Sequence, residues 1–342
     1  MTLALALSGC ATVGYYLQAL GGHLEVVARA RPIPEVLEDK AASAETRAKL
    51  EQVLAIRAFA TRELKLPDNE SYRRYADLER PYALWNVFAA PELSLKPLEW
   101  CFVMVGCVSY RGYFSHAHAE AFAAELRASG HDVYVGGVAA YSTLGWFDDP
   151  MLNTVLRRAE PEIAGIMFHE LAHQKLYARD DTAFNESFAT AVELEGVKRW
   201  FAAGTGNAKA FAEYETRFRR RGEFTALLLK HRARLEAIYG SDRPDADKRA
   251  AKTAAFAQLK RGYAALKAAW GDYDGYDTWM AQDLNNAHLV SAGTYHQWVP
   301  ALRALLAQND HDLARFYRAV EELARRSRAE REAALLTLGG KP

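Results

Sequence analysis

Residues 34–64 place Val36, Leu37, Leu50, Val53, Leu54, Ile56 and Phe59 at mixed three- and four-residue steps between charged positions. That spacing predicts a helix or helix pair that serves as scaffold. Residues 99–110, Glu-Trp-Cys-Phe-Val-Met-Val-Gly-Cys-Val-Ser-Tyr, form an unbroken β-rich apolar run between Pro97 and Arg111-Gly112, which predicts one strand buried on both faces. A helix is expected over 117–128. Gly130 ends it, and a second strand follows over 131–141, whose Gly136-Gly137 pair permits close approach of another backbone. From Met151 onward the pattern is helical almost to the end. Residues 208–238 and 248–270 predict an antiparallel helical hairpin around the polar turn Gly240-Ser-Asp-Arg-Pro-Asp245. The fold class expected is helix-rich α+β, a small sheet preceding a helical C-terminal part, with no internal repeat.

The chain has 342 residues, half of them hydrophobic and a quarter charged, which excludes disorder and collagen-like repeats. Lys plus Arg equals Asp plus Glu at 43 each, so no bulk field would hold it on nucleic acid. Three cysteines, Cys10, Cys101 and Cys107, are too few for a disulfide scaffold or a four-thiolate zinc site. On a single extended strand Cys101 and Cys107 would lie about 20 Å apart, beyond disulfide reach, so two buried, inert thiols are expected. The opening Met1-Thr-Leu-Ala-Leu-Ala-Leu-Ser-Gly-Cys10 is an apolar run ending in two small residues and a cysteine. Leu7-Ser8-Gly9-Cys10 resembles a bacterial lipobox, which implies export and a lipid on Cys10 that anchors the protein in the bacterial cell envelope, with the periplasmic face expected. The division that follows is a signal segment over 1–10, an N-terminal part over 11–150 with helices and the small sheet, and a helical part over 151–342.

The chemistry concentrates in Ile166-Met-Phe-His-Glu-Leu-Ala-His-Gln-Lys-Leu176, which carries His169-Glu170-x-x-His173 inside a helical pattern. Residues four apart share a helical face, so both imidazoles can reach one zinc ion. Glu170, one step round, can face the coordination position of a water and take its proton. A third ligand is expected thirteen residues past His173, at Glu186 in Phe184-Asn-Glu-Ser-Phe-Ala189. If one helix ends near Ala178 and Asp181 or Thr182 caps the next, His173 and Glu186 each lie about five residues, ~7 Å, from the turn. Two antiparallel helices then bring them level, giving the open, catalytic type of site with two histidines, a glutamate and water. The competing reading makes Asn185-Glu186 a solvated first helical turn. Glu193, on the same face, is a candidate to orient a ligand imidazole or else to form an ion pair. Asp180 and Asp181 are expected to cap the turn.

The chain resembles a bacterial family of zinc aminopeptidases of the gluzincin kind, whose members often bear a lipoprotein signal. Besides the two stretches just quoted, the resemblance rests on Gly14-Tyr-Tyr16, Tyr110-Arg-Gly-Tyr-Phe114, Ala140-Tyr-Ser-Thr-Leu-Gly-Trp-Phe147 and Leu284-Asn-Asn-Ala287 followed by Tyr295-His296. It implies a zincin-like metallopeptidase fold, one zinc ion on His169, His173 and Glu186, Glu170 as general base, and a peptide substrate.

Peptidases of that architecture bind substrate as an added strand, and residues 133–141 are the candidate edge; the alternative is a buried strand with a glycine bulge. Tyr295 and His296 are the first choice as further catalytic groups stabilising the oxyanion, with Tyr141 and His288 behind them. Arg111 binds a substrate carboxylate or pairs internally. Asp148, Asp149 and Glu193 are the acids available to hold a free amino terminus. The alternative function is a non-catalytic, lipid-tethered envelope scaffold that keeps the helix pair as structure; another is zinc-dependent hydrolysis of a different amide.

Overall fold

The computed structural model describes residues 3–102, 106–141, 143, 146–204, 208–294 and 297–339, excepting the side chains of 3–13 and 292–294. In chain order the elements are α1 (Leu3–Arg29), β1 (Arg31–Pro32), α2 (Ile33–Glu38), α3 (Ala44–Arg62), β2 (Arg74–Ala76), β3 (Leu84–Pro91), β4 (Trp100–Phe102), β5 (Gly106–Val108), β6 (Arg111–Tyr113), α4 (His116–Ala128) and β7 (His131–Val138). Then follow β8 (Met151–Leu152), α5 (Asn153–Leu156), α6 (Glu160–Lys175), α7 (Thr182–Ala202), α8 (Ala208–Tyr239), α9 (Asp245–Ala269), α10 (Asp277–Met280), α11 (Asn286–Thr294), α12 (Val299–Gln308), α13 (Leu313–Ala324) and α14 (Arg328–Thr337). The fold is α+β and helix-rich, with its small sheets ahead of the helical C-terminal part. The scaffold expected over 34–64 is the pair α2 and α3, and α3 begins at Ser43, whose hydroxyl accepts from Thr46 N.

Three small sheets are present among the described residues, with strand orders β1-β2-β8, β6-β3-β7 and β4-β5. In the second, β7 runs antiparallel to β3 along its whole length and is an outer strand. Helix α4 packs beside it and ends at Gly130, whose φ of +84° suits only glycine comfortably.

The single strand expected over 99–110 is instead a hairpin followed by β6. Strands β4 and β5 pair antiparallel with Cys101 opposite Cys107, Cα atoms 3.8 Å apart, and the two sulfurs form a disulfide. Cys101 is exposed and Cys107 half-buried, so the expectation of two buried, separated thiols fails. The reversal is held from outside the run. Gly106 takes φ +76°, and the side chains of Arg179 and Asp180 press on the space where a Cβ would stand, with Asp180 accepting from Cys107 N at 2.8 Å. A run that is apolar at every position carries no alternation to mark where the chain turns back.

The main core lies where α3, α6, α7, α12 and α13 meet, around Phe59, Phe168, Phe184, Phe188 and Phe316. Helices α6 and α7 approach closely because Gly196 carries no side chain: a Cβ there would come within 2.6 Å of the Phe168 ring. The expected hairpin of α8 and α9 closes over a second core around Phe224, Leu259, Tyr263 and Trp270. Among the described residues, no helix is long and apolar enough to cross a membrane.

Candidate metal centre

Helix α6 begins with Glu160, Pro161 and Glu162. Proline suits the first turn, both carboxylates sit at the positive end of the helix dipole, and Glu162 also accepts from Ala159 N. It ends at Lys175. Helix α7 starts at Asp181, whose carboxylate accepts from Phe184 N at 3.1 Å and also pairs with the buried Arg331. Asp180, at φ +63°, holds the connection in a left-handed turn. Between the helices, Asn185 accepts from Ala178 N and donates to Ala178 O, each at 2.7 Å. These bonds clamp the turn one residue before Glu186, and Asn185 is buried, so the solvated-first-turn reading of Asn185-Glu186 does not hold.

The clamp sets Glu186 level with the imidazoles of α6. His169, His173 and Glu186 each offer a ligand atom, all within 4.8 Å of one another. Glu186 Oε2 lies 3.3 Å from His169 Nε2 and 3.8 Å from His173 Nε2. The cluster is recessed but not sealed, with side-chain exposures of 18% for His169 and 12% for Glu186. The other ring nitrogen of His169, Nδ1, lies 3.3 Å from Glu193 Oε2. Glu193 also accepts from Tyr214 and Arg221 of α8, so it both orients the imidazole and forms an ion pair. His173 Nδ1 is buried with no hydrogen-bond partner among the described residues.

The electrostatics favour a cation here. Burial lowers the His169 pKa, but the hydrogen bonds to Glu186 and Glu193 outweigh it and push it up to about 10. Burial raises Glu186 and Glu193, yet their charged neighbours win: His173 and His169 hold Glu186 well below the usual carboxylate range, and His169 and Arg221 bring Glu193 to about 2. Glu170 differs from both. Burial raises its pKa, against the pull of His169 and His173, which suits a carboxylate that takes up and releases a proton. Two imidazole nitrogens and a carboxylate oxygen, crowded by two further glutamates, are a donor set that offers a place to a divalent metal ion.

Two groups beside Glu170 were not legible in the sequence. Tyr72 is 4% exposed, takes φ +66°, and has a buried hydroxyl with no hydrogen-bond partner among the described residues; burial first, then Glu170 and Asp149, raise its pKa. A positive φ on a bulky residue is costly and tends to occur where a side chain must be aimed. Tyr110 is likewise raised by burial and by the charges of Glu186 and Glu170. Of the acids considered for an amino terminus, Asp148 is exposed and Glu193 is committed to His169 and Arg221. Asp149 is 3% exposed, accepts from Thr143 N and Gln174 Nε2, and has no cationic partner among the described residues. Burial pushes it up to about 7, with the Glu170 charge adding to the rise.

The remaining candidates fall elsewhere. Tyr295 and His296 lie outside the described residues. Tyr141 lies 3.3 Å from His23 and near Asp149. His288 contacts Gln282 and Asn285 and stacks on Tyr134, where burial lowers it to about 3. Arg111 stacks on Tyr15 at 4.1 Å and Phe122 at 4.6 Å, without an acidic partner among the described residues. Strand β7 offers an outer edge, though Asn285 occupies the Val133 carbonyl. Its glycines make room for rings rather than for backbone: a Cβ on Gly137 would strike Tyr82, and one on Gly136 would crowd Tyr134.

The family model described as Putative aminopeptidase matches residues 14–335. No curated protein and no solved structure matches the chain. Because the match runs from Gly14 on α1 to Leu335 on α14 and takes in the whole cluster, the protein belongs to the Putative aminopeptidase family and is a peptidase-like hydrolase.

Proposed function

We propose that this chain is a zinc-dependent aminopeptidase of the gluzincin kind, anchored in the bacterial cell envelope by a lipid on Cys10 and acting on peptides. The observation that carries the reading is the convergence of His169, His173 and Glu186 within 4.8 Å, with Glu170 on the same helix as both histidines. Zinc held by those three residues would supply a Lewis acid that polarises a peptide carbonyl and eases deprotonation of water.

Everything else falls to the protein's own groups. Glu170, its pKa raised by burial, accepts a proton from the attacking water and passes it to the departing amine nitrogen. Glu193 keeps the His169 ring turned toward the metal position. Asp149, buried without a cation beside Glu170, is the group we assign to the substrate's α-ammonium, and this assignment makes the enzyme an exopeptidase. The part of the outer strand β7 beyond the Val133 carbonyl, which Asn285 holds, is the edge we assign to peptide backbone bound as an added strand.

The test is hydrolysis of a panel of dipeptides and tripeptides with free or acetylated amino termini by the zinc-loaded protein and by Glu170→Gln. The wild type should cleave the free-amine members, and the variant should keep its zinc and lose at least about 100-fold in rate. Equal turnover by Glu170→Gln removes the base, and cleavage of acetylated peptides alone removes the Asp149 assignment. Inert, metal-free protein would favour a structural role in the envelope.

A further inference from the structure

Helix α1 packs on the body through Val26, which is fully buried, and through Tyr15 against Tyr113, yet it carries a second apolar face on its outer side. Gln18 and His23 add polar contacts on the inner side: Gln18 donates to Gly112 O and accepts from Phe114 N, and His23 meets Tyr141. The outer side is apolar. Leu17, Leu20, Leu24 and Val27 follow one another at steps of three, four and three, one helical face, with exposures of 64%, 55%, 55% and 45%, and Tyr16 flanks them. These five, together with Trp146 and Phe147, account for seven of the nine large hydrophobic residues exposed on the described surface. Phe147 packs on His23 of α1 with ring centroids 4.6 Å apart, so the two aromatics adjoin the stripe.

We infer that this face of α1, with Trp146 and Phe147 beside it, lies in the interfacial layer of a lipid bilayer. Two observations select lipid over a protein partner. No Asp, Glu, Lys or Arg occurs before Glu25, so the residues of the same helix ahead of the stripe carry no charge for a partner protein to pair with. Tryptophan settles at headgroup depth, and phenylalanine beside it belongs with the apolar residues that insert at the acyl boundary. The chain has no net charge, so attachment rests on apolar burial rather than on anionic lipid. The inference stands apart from both the peptidase reading and the lipid on Cys10.

The experiment uses the full chain carrying Cys10→Ala, which cannot be lipidated, and flotation with phosphatidylcholine/phosphatidylethanolamine vesicles. The protein should float with the vesicles equally at low and high salt. The double variant Leu17→Glu/Leu24→Glu should bind at least about tenfold more weakly, as expected for losing two apolar anchors, with an unchanged circular dichroism spectrum. Bromine-labelled lipid should quench tryptophan emission in the Cys10→Ala protein, and Trp146→Leu should remove most of that quenching. Flotation unaffected by the double variant overturns the inference. So does self-association without vesicles that the double variant abolishes, because the face would then belong to a second copy of this chain.

Discussion

Glu193 and His169 sit on adjacent antiparallel helices with Oε2 3.3 Å from Nδ1, and the same glutamate is gripped from a third helix by Arg221 and Tyr214. The imidazole nitrogen that faces Glu186 therefore has its orientation set by residues 24 and 52 positions away in the chain. Replacing Glu193 with glutamine should weaken zinc binding by about 10–100-fold, the usual cost of losing a group that orients a ligand. Competition against a chelator of known affinity checks this. An unchanged affinity would leave Glu193 with no role beyond its pair with Arg221.

The α6–α7 turn depends on one side chain. Asn185→Ala strands both the N–H and the carbonyl of buried Ala178, and should cost about 3 kcal/mol of stability, with a matching loss of zinc affinity because Glu186 is the next residue. Urea unfolding with and without zinc reads both effects. A variant as stable as the parent would show that the clamp is not what levels Glu186 with His173.

Asp149 ties stability to pH. Its folded pKa is raised from 3.8 to about 7, so below pH 4 it is protonated in both folded and unfolded chains and costs nothing. Between pH 4 and 7 only the unfolded chain releases the proton, and stability falls by at most about 4 kcal/mol before levelling off. Asp149→Asn cannot make that release. The difference in unfolding free energy between variant and wild type should therefore move in favour of the variant across this window and stay flat above it. A gap independent of pH contradicts the assignment of Asp149 as a buried, unpaired carboxyl.

The β4–β5 hairpin is closed by a short disulfide loop. Removing the bond with Cys101→Ser/Cys107→Ser should lower stability by about 2 kcal/mol, the loop-entropy value for so few residues. Thermal unfolding in the presence and absence of reductant measures it: the wild type should shift and the double variant should not.

The helix pair was legible because a helix brings residues four apart onto one face regardless of what surrounds it, and a short turn limits how two helices can meet. His169, His173 and Glu186 are separated by seventeen residues in all, and local geometry is enough to unite them. Tertiary relations were not legible in this way. The apolar run over 99–110 hides its reversal between Phe102 and Gly106, and the positive φ of Gly106 goes with the Asp180 side chain, 74 residues on in the chain, pressing against it. Nothing around Tyr72 marks a tyrosine in the left-handed region, and its neighbours Asp149 and Glu170 lie 77 and 98 residues on. Arg221 reads as one more charge on a long helix until α8 is folded against α6 and its side chain meets Glu193 of α7.

The central claim is that one zinc ion is held by two imidazoles of α6 and a carboxylate of α7. Calorimetric titration of zinc into metal-stripped protein tests it most directly. The account predicts one site per chain in the wild type and in Glu170→Gln, and loss of that site in His173→Ala and Glu186→Ala. Binding that survives both of the last two substitutions, or no binding by the wild type, would contradict it.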